Sequence, residues 1–211
     1  MGENLRGSAS DSTALQVARA VQSLDELIAA LTSRDDSAAE SAVHELKEQG
    51  AAGTSVLVEL LESKDPEHRW WAVRALAATP GPQTAWFVRA LEDPETEVRA
   101  AAALALAAHP DEAATAPLVS ALSDVDGLVA VLAVHALVRA GNSAVPLLVE
   151  SYEKAPARGR IHILRALAEL RDPRAIKLMM IALETNSAAL QYWAREGLER
   201  LGLDMVYLMP D

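Results

Sequence analysis

The 211-residue chain contains no cysteine. That absence excludes disulfides, thiolate metal sites and cysteine nucleophiles, and it fits a reducing compartment. Aromatic residues make up only 4% and include a single phenylalanine, so a core built on large rings is excluded. No apolar run approaches the roughly 18 residues that a membrane-spanning helix needs. Met1 to Ser12 is polar and rich in serine and glycine. It lacks the apolar stretch of a secretion signal, which predicts a soluble, cytoplasmic protein. Basic residues are outnumbered, 19 against 30, for a net charge of −11. Such a balance opposes a nucleic-acid partner, whose phosphates demand cations. Phosphate-binding loops, dinucleotide fingerprints and Ser/His/Asp constellations are also missing.

What the sequence does have is a repeat. Leu31, Leu61, Leu91, Leu122, Tyr152 and Leu183 recur every 30 or 31 residues. Leu46, Leu76, Leu106, Leu137, Leu167 and Leu198 follow with the same steps in the same order. Two series that share their insertions mark one structural unit repeated six times. Each unit reads as two helices, with apolar segments such as Val56–Leu61 and Pro117–Leu122 in the first and a leucine-bearing segment of about twelve residues in the second. Asp65-Pro66 and Asp93-Pro94 mark the turns between them, since Asp caps free N–H groups and Pro costs nothing in a helix's first turn. Gly50, Pro80, Pro110, Gly141 and Gly202 supply stop signals after the second helices.

Small residues accompany the second leucine series. Ala42, Ala72, Ala102, Ala133, Ile163 and Ala194 form one column, and Glu45, Ala75, Ala105, Ala136, Ala166 and Gly197 another. Short side chains beside a fixed leucine allow adjacent helices to approach closely. The expected organisation is a disordered tail over residues 1–12, a repeat array over 13–203 and an apolar tail or cap over 204–211.

The stretch from Asp93 to Leu106, DPETEVRAAAALAL, resembles the HEAT repeat, and more narrowly the short HEAT-like repeats of phycobilin lyase subunits. The resemblance extends over about residues 13–203. It implies an all-α fold, a right-handed α-solenoid of about six HEAT-like helix pairs. It also implies a ladder in which a turn Asp meets an Arg of the adjacent repeat. Asp93, Asp124, Arg69, Arg99 and Arg160 match its positions, giving the pairs Arg69–Asp93 and Arg99–Asp124. Ser33 with Ala39, and Thr185 with Gln191, depart from the pattern in the first and last repeats.

In such arrays the second helices line a concave face. Residues there at i, i+4 and i+7 share one side. Across the repeats they place Trp70, Val131, Ile161 and Tyr192 in an apolar row, beside a row holding Arg74, Leu104, His135 and Arg165. Aromatic anchors with arginine nearby are the material of interface hot spots. The expected function is therefore a non-enzymatic interaction or assembly scaffold, with another protein's apolar or acidic segment in the groove. Self-association is the alternative occupant. No cofactor and no metal site is expected: His44 and His135, three repeats apart, stand on the order of 25–30 Å from each other. One ion cannot bridge that distance. The alternative activity is that of a bilin lyase or chromophore-binding subunit, with Arg74 or Arg165 pairing the propionates of a tetrapyrrole and the apolar row covering its rings.

Overall fold

A computed structural model describes residues 24–33 and 35–203. The expected N-terminal tail over 1–12, the start of the first helix and the expected cap over 204–211 lie outside the described residues. Among the described residues are twelve α-helices in six consecutive pairs and no strand: α1 (24–31), α2 (Asp36–Glu48), α3 (Ala51–Leu60), α4 (Pro66–Ala78), α5 (Thr84–Ala90), α6 (Thr96–Ala108), α7 (Thr115–Ala121), α8 (Gly127–Ala140), α9 (Val145–Ser151), α10 (Ala157–Leu170), α11 (Ile176–Leu183) and α12 (Ala188–Arg200). This is the all-α solenoid of helix pairs that the period predicts. The chain divides into two compact units, the first ending at Pro82 and the second beginning at Gln83. Unit 1 holds α1 to α4 and unit 2 holds α5 to α12.

Local chemistry explains the boundaries. Asp35, Asp65 and Asp126 cap α2, α4 and α8 by accepting hydrogen bonds from backbone N–H groups of the first turn. Asp93-Pro94 behaves differently from Asp65-Pro66. Here α6 starts only at Thr96, and the Asp93 carboxylate accepts from the Glu95 N–H at 2.9 Å. Gly50, Gly141 and Gly202 take positive φ at or just after helix ends. Arg171 ends α10 in the left-handed region at φ 53°, as the one non-glycine residue with positive φ among the described residues.

The second leucine series is buried throughout, and the first at every position except Leu61, which is half-buried. Leu46, Leu76, Leu106, Leu137, Leu167 and Leu198 are each at most 1% exposed. In unit 2 the second helices pack directly on one another, α6 on α8, α8 on α10 and α10 on α12. The small columns make this possible. A β-carbon on Gly197 would lie 3.2 Å from the Ala168 Cα, a tight fit against α10, and would press on the Met179 side chain of α11, so glycine lets α12 pack closely on both.

The ladder is present within unit 2. Arg99 donates from Nε and Nη2 to the two oxygens of Asp124, at 2.8 and 2.9 Å. Its Nη1 meets the carbonyls of Asp93 and Pro94. Burial alone would push the Asp124 carboxyl up, but Arg99, the Asp126 N–H and the charge of Arg158 together hold it below its ordinary value. The other expected pair, Arg69–Asp93, would span the two units. Inside unit 1, Arg69 donates to the carbonyl oxygens of Ser63 and Lys64. Gln191, which departs from the sequence pattern, does the same work without charge. Its amide donates to the carbonyls of Leu183 and Thr185 at 3.2 and 2.7 Å.

Candidate functional site

The eight residues singled out by the repeat are all accessible to solvent, and they divide between the units. Trp70 and Arg74 belong to unit 1. Helix α4 carries both, with Trp71 buried beneath them. The Trp70 and Trp71 rings meet edge to face at 4.7 Å. The Arg74 guanidinium lies 4.8 and 4.9 Å from their centroids and donates to Glu40 of α2 at 2.5 Å. Helical spacing thus puts one cation over two rings and against a carboxylate from the preceding repeat. Arg74 clasps α2 to α4, and its charge is already matched.

Leu104, Val131, His135, Ile161, Arg165 and Tyr192 belong to unit 2, on successive second helices. Because those helices stack directly, the six residues share one face. Leu104 is 54% exposed and Tyr192 57%; His135 is exposed, and Val131, Ile161 and Arg165 are half-buried. Arg165 donates to Glu169 one turn along its own helix at 3.1 Å. Its guanidinium also lies 5.3 Å from the Trp193 ring, which packs edge to face with Tyr192. So Arg165 and Tyr192 are brought into one cluster through Trp193, while Leu104, Val131 and His135 form an open stretch on α6 and α8.

Four residues of this face were not singled out by the sequence rows. Leu128 is 59% exposed at the start of α8, and Arg139 is exposed near its end. Both follow from extending the His135 row by helical steps, seven residues back and four forward. Trp193 lies one residue off the chosen row. His162 is half-buried on α10, and its Nδ1 has no hydrogen-bond partner among the described residues. Burial, and then the charge of Arg165, lower its pKa, so the ring is held neutral.

A separate cleft of about 640 Å³ opens on the turn side of unit 2, between Leu91, Pro117, Ala121 and Val125. Its charged lining residues are Glu92, Asp93, Arg99 and Asp124, of which Arg99 and Asp124 satisfy each other. Among the described residues no single helix is long and apolar enough to cross a membrane.

Comparisons with known proteins give this geometry a context. A bilin biosynthesis protein, RpcF of Synechococcus sp. (strain WH8020), is 36% identical over 87 residues, which cover 41% of this chain and 42% of that protein. The chain therefore spans about two-fifths of the length of this curated relative. The solved complex of CpcE and CpcF of phycocyanin lyase from Nostoc sp. PCC7120 is similar at 25% identity and a TM-score of 0.50, over 85% of this chain and 77% of that one. An engineered protein of known structure aligns at 24% identity and a TM-score of 0.49, over 85% of this chain and 96% of its own. The expectation of a non-enzymatic protein is overturned by the first two, a protein of bilin biosynthesis and a phycocyanin lyase. That expectation rested on the absence of catalytic motifs from the sequence. The family model described as HEAT repeats matches residues 24–86 and 84–161, and the chain belongs to the HEAT-repeat family.

Proposed function

We propose that the chain is a subunit of a bilin lyase. It holds a linear tetrapyrrole on the second-helix face of unit 2 and presents it to an acceptor protein. The observation that carries this reading is the shared identity of the two relatives: the curated one acts in bilin biosynthesis, and the solved one is a phycocyanin lyase. The face has suitable chemistry. Leu104, Val131, Ile161 and Tyr192 offer an apolar bed for conjugated rings, with His135 and Arg165 beside them as polar groups. With no cysteine in the chain, this subunit forms no thioether of its own, so covalent attachment falls to the acceptor.

The partner is a second lyase subunit, by analogy with the solved complex of two different chains. In unit 1 the accessible Trp70 ring, with the Arg74–Glu40 pair beside it, gives an aromatic edge of the kind protein interfaces favour. We assign that edge to protein contact and the unit 2 face to the chromophore. The test is a visible absorbance titration of the purified protein with a bilin, alone and with a candidate second subunit. A red shift or sharpening of the bilin band supports the reading. An unchanged spectrum in both conditions removes it.

A further inference from the structure

We propose that Arg139, with His135 one turn before it and Arg171 on the adjoining loop, is the carboxylate anchor that holds a bilin's propionates against unit 2. This rests on the bilin reading above and changes its electrostatics, because the arginines that the sequence offered for this role are already engaged.

Most arginines of the protein have an internal partner. Arg74 pairs with Glu40, Arg99 with Asp124, Arg165 with Glu169, Arg174 with Asp172 and Arg200 with Glu196. Arg160 turns to the carbonyls of Glu153 and Ala155. On the second-helix face of unit 2 and its rim, Arg139 and Arg171 are exposed and meet neither a carboxylate nor a carbonyl among the described residues. Arg195 is also exposed, but it occupies the α12 position matching Val134 and Leu164, which are fully buried between repeats. It therefore points off the end of the array rather than across the face.

Arg171 adds an independent observation. It holds a left-handed backbone conformation, φ 53° and ψ 41°, at a helix end where Gly141 and Gly202 supply the positive φ after α8 and α12. A side chain carried at that steric cost, and making no hydrogen bond or ion pair among the described residues, points to something outside them. The two arginines belong to one rim. Arg174 Nη2 donates to the Asn142 carbonyl at 2.8 Å, tying the loop after α8 to the loop after α10. The acids closest in sequence do not cancel their charge. Asp172 is buried against Arg174, which pulls its carboxyl down to about 2, and Glu169 is bound by Arg165.

A polarity runs along α8 from this rim. Leu128 and Val131 begin the strip, His135 follows, and Arg139 ends it, over about 16 Å at 1.5 Å per residue. An apolar strip finished by cations suits a long conjugated molecule with carboxylates along one edge. In a protein of net charge −11, such a patch selects anions by location rather than by bulk attraction.

The experiment is a binding titration of the full chain with biliverdin and with its dimethyl ester, which lacks the carboxylates. The wild type is expected to bind the free acid about tenfold more tightly than the ester, the scale of a charge-assisted hydrogen bond. Arg139→Ala and Arg171→Ala should weaken binding of the acid and leave the ester unchanged, so that the preference shrinks or disappears. Arg195→Ala should behave as wild type. Thermal melts of the same variants should coincide, since neither exposed arginine side chain makes a hydrogen bond or ion pair among the described residues. If the acid and ester bind equally to the wild type, or the Arg139 and Arg171 variants keep the full preference, the anchor is wrong while the bilin reading stands. If neither pigment binds the wild type, the bilin reading fails and the anchor with it.

Discussion

The two units use the same repeat positions for opposite purposes. In unit 1, Trp70, Trp71, Arg74 and Glu40 close on one another, leaving neither a free charge nor an open ring stack. In unit 2, the equivalent columns hold Leu104, His135, Arg165 and Tyr192, spread over four helices, with Arg139 unmatched beside them. Equal register therefore does not mean equal role. A column residue becomes available to a ligand only when no neighbour within one helical turn or one repeat satisfies it.

That contrast can be broken experimentally. The largest expected effect belongs to neither cluster but to the ladder that holds unit 2 together. Arg99→Ala leaves Asp124 without its bidentate partner and should cost about 3–5 kcal/mol in urea denaturation. A cost near zero would show that the pair is not what joins these repeats. Leu137→Ala, a truncation at a fully buried position, should cost about 2–5 kcal/mol. Its unit 1 counterpart, Leu76→Ala, should fall in the same range if the columns are equivalent in packing.

Smaller effects sharpen the comparison itself. Arg74→Ala should lower stability by roughly 1 kcal/mol, as expected for an accessible ion pair combined with a ring contact. Arg139→Ala should leave stability unchanged and alter only pigment binding. Equal stability losses for the two would erase the distinction between a closed cluster and an open one. Arg171→Gly should raise the melting temperature slightly, by relieving about 1 kcal/mol of left-handed strain, while weakening the preference for free carboxylates.

Acid provides a further test. Asp124 and Asp172 have folded pKa values below their ordinary carboxylate range, Asp172 at about 2. Their contribution is therefore complete above the unfolded value, near 3.9, and is lost as pH falls toward the folded values. Denaturation midpoints should decline through that window, and Arg99→Ala should flatten the part due to Asp124. An unchanged profile in the variant would detach Asp124 from acid stability.

Much of the fold was legible because burial repeats with the period. The second leucine series and its alanine columns are visible as spacing, and every residue of the two small-residue columns except the exposed Glu45 is buried in the structure. Helix starts were less legible. Asp65-Pro66 opens α4 directly, whereas Asp93-Pro94 precedes α6 by a turn, because the same dipeptide serves either as a cap or as a loop. Chemical equivalence hid Gln191, whose neutral amide reaches the carbonyls that arginine reaches elsewhere.

The site was half legible. Exposure of the eight chosen residues follows from helical geometry, but their electrostatic state does not. Glu40 lies 34 residues from Arg74, and its partnership exists only once repeats stack. Arg139 was missed because the rows stopped one helical step short. The absence of catalytic motifs pointed away from an enzyme, whereas the two relatives, a bilin biosynthesis protein and a phycocyanin lyase, point toward one.

Gln191 has one more consequence. The last described helix pair fastens its turn with an amide that has no proton to gain across the physiological or mildly acidic range. The Arg99–Asp124 junction, by contrast, depends on ionisation. Acid therefore withdraws the charged support of the α6–α8 seam while the Gln191 contacts of the last described pair stay in place.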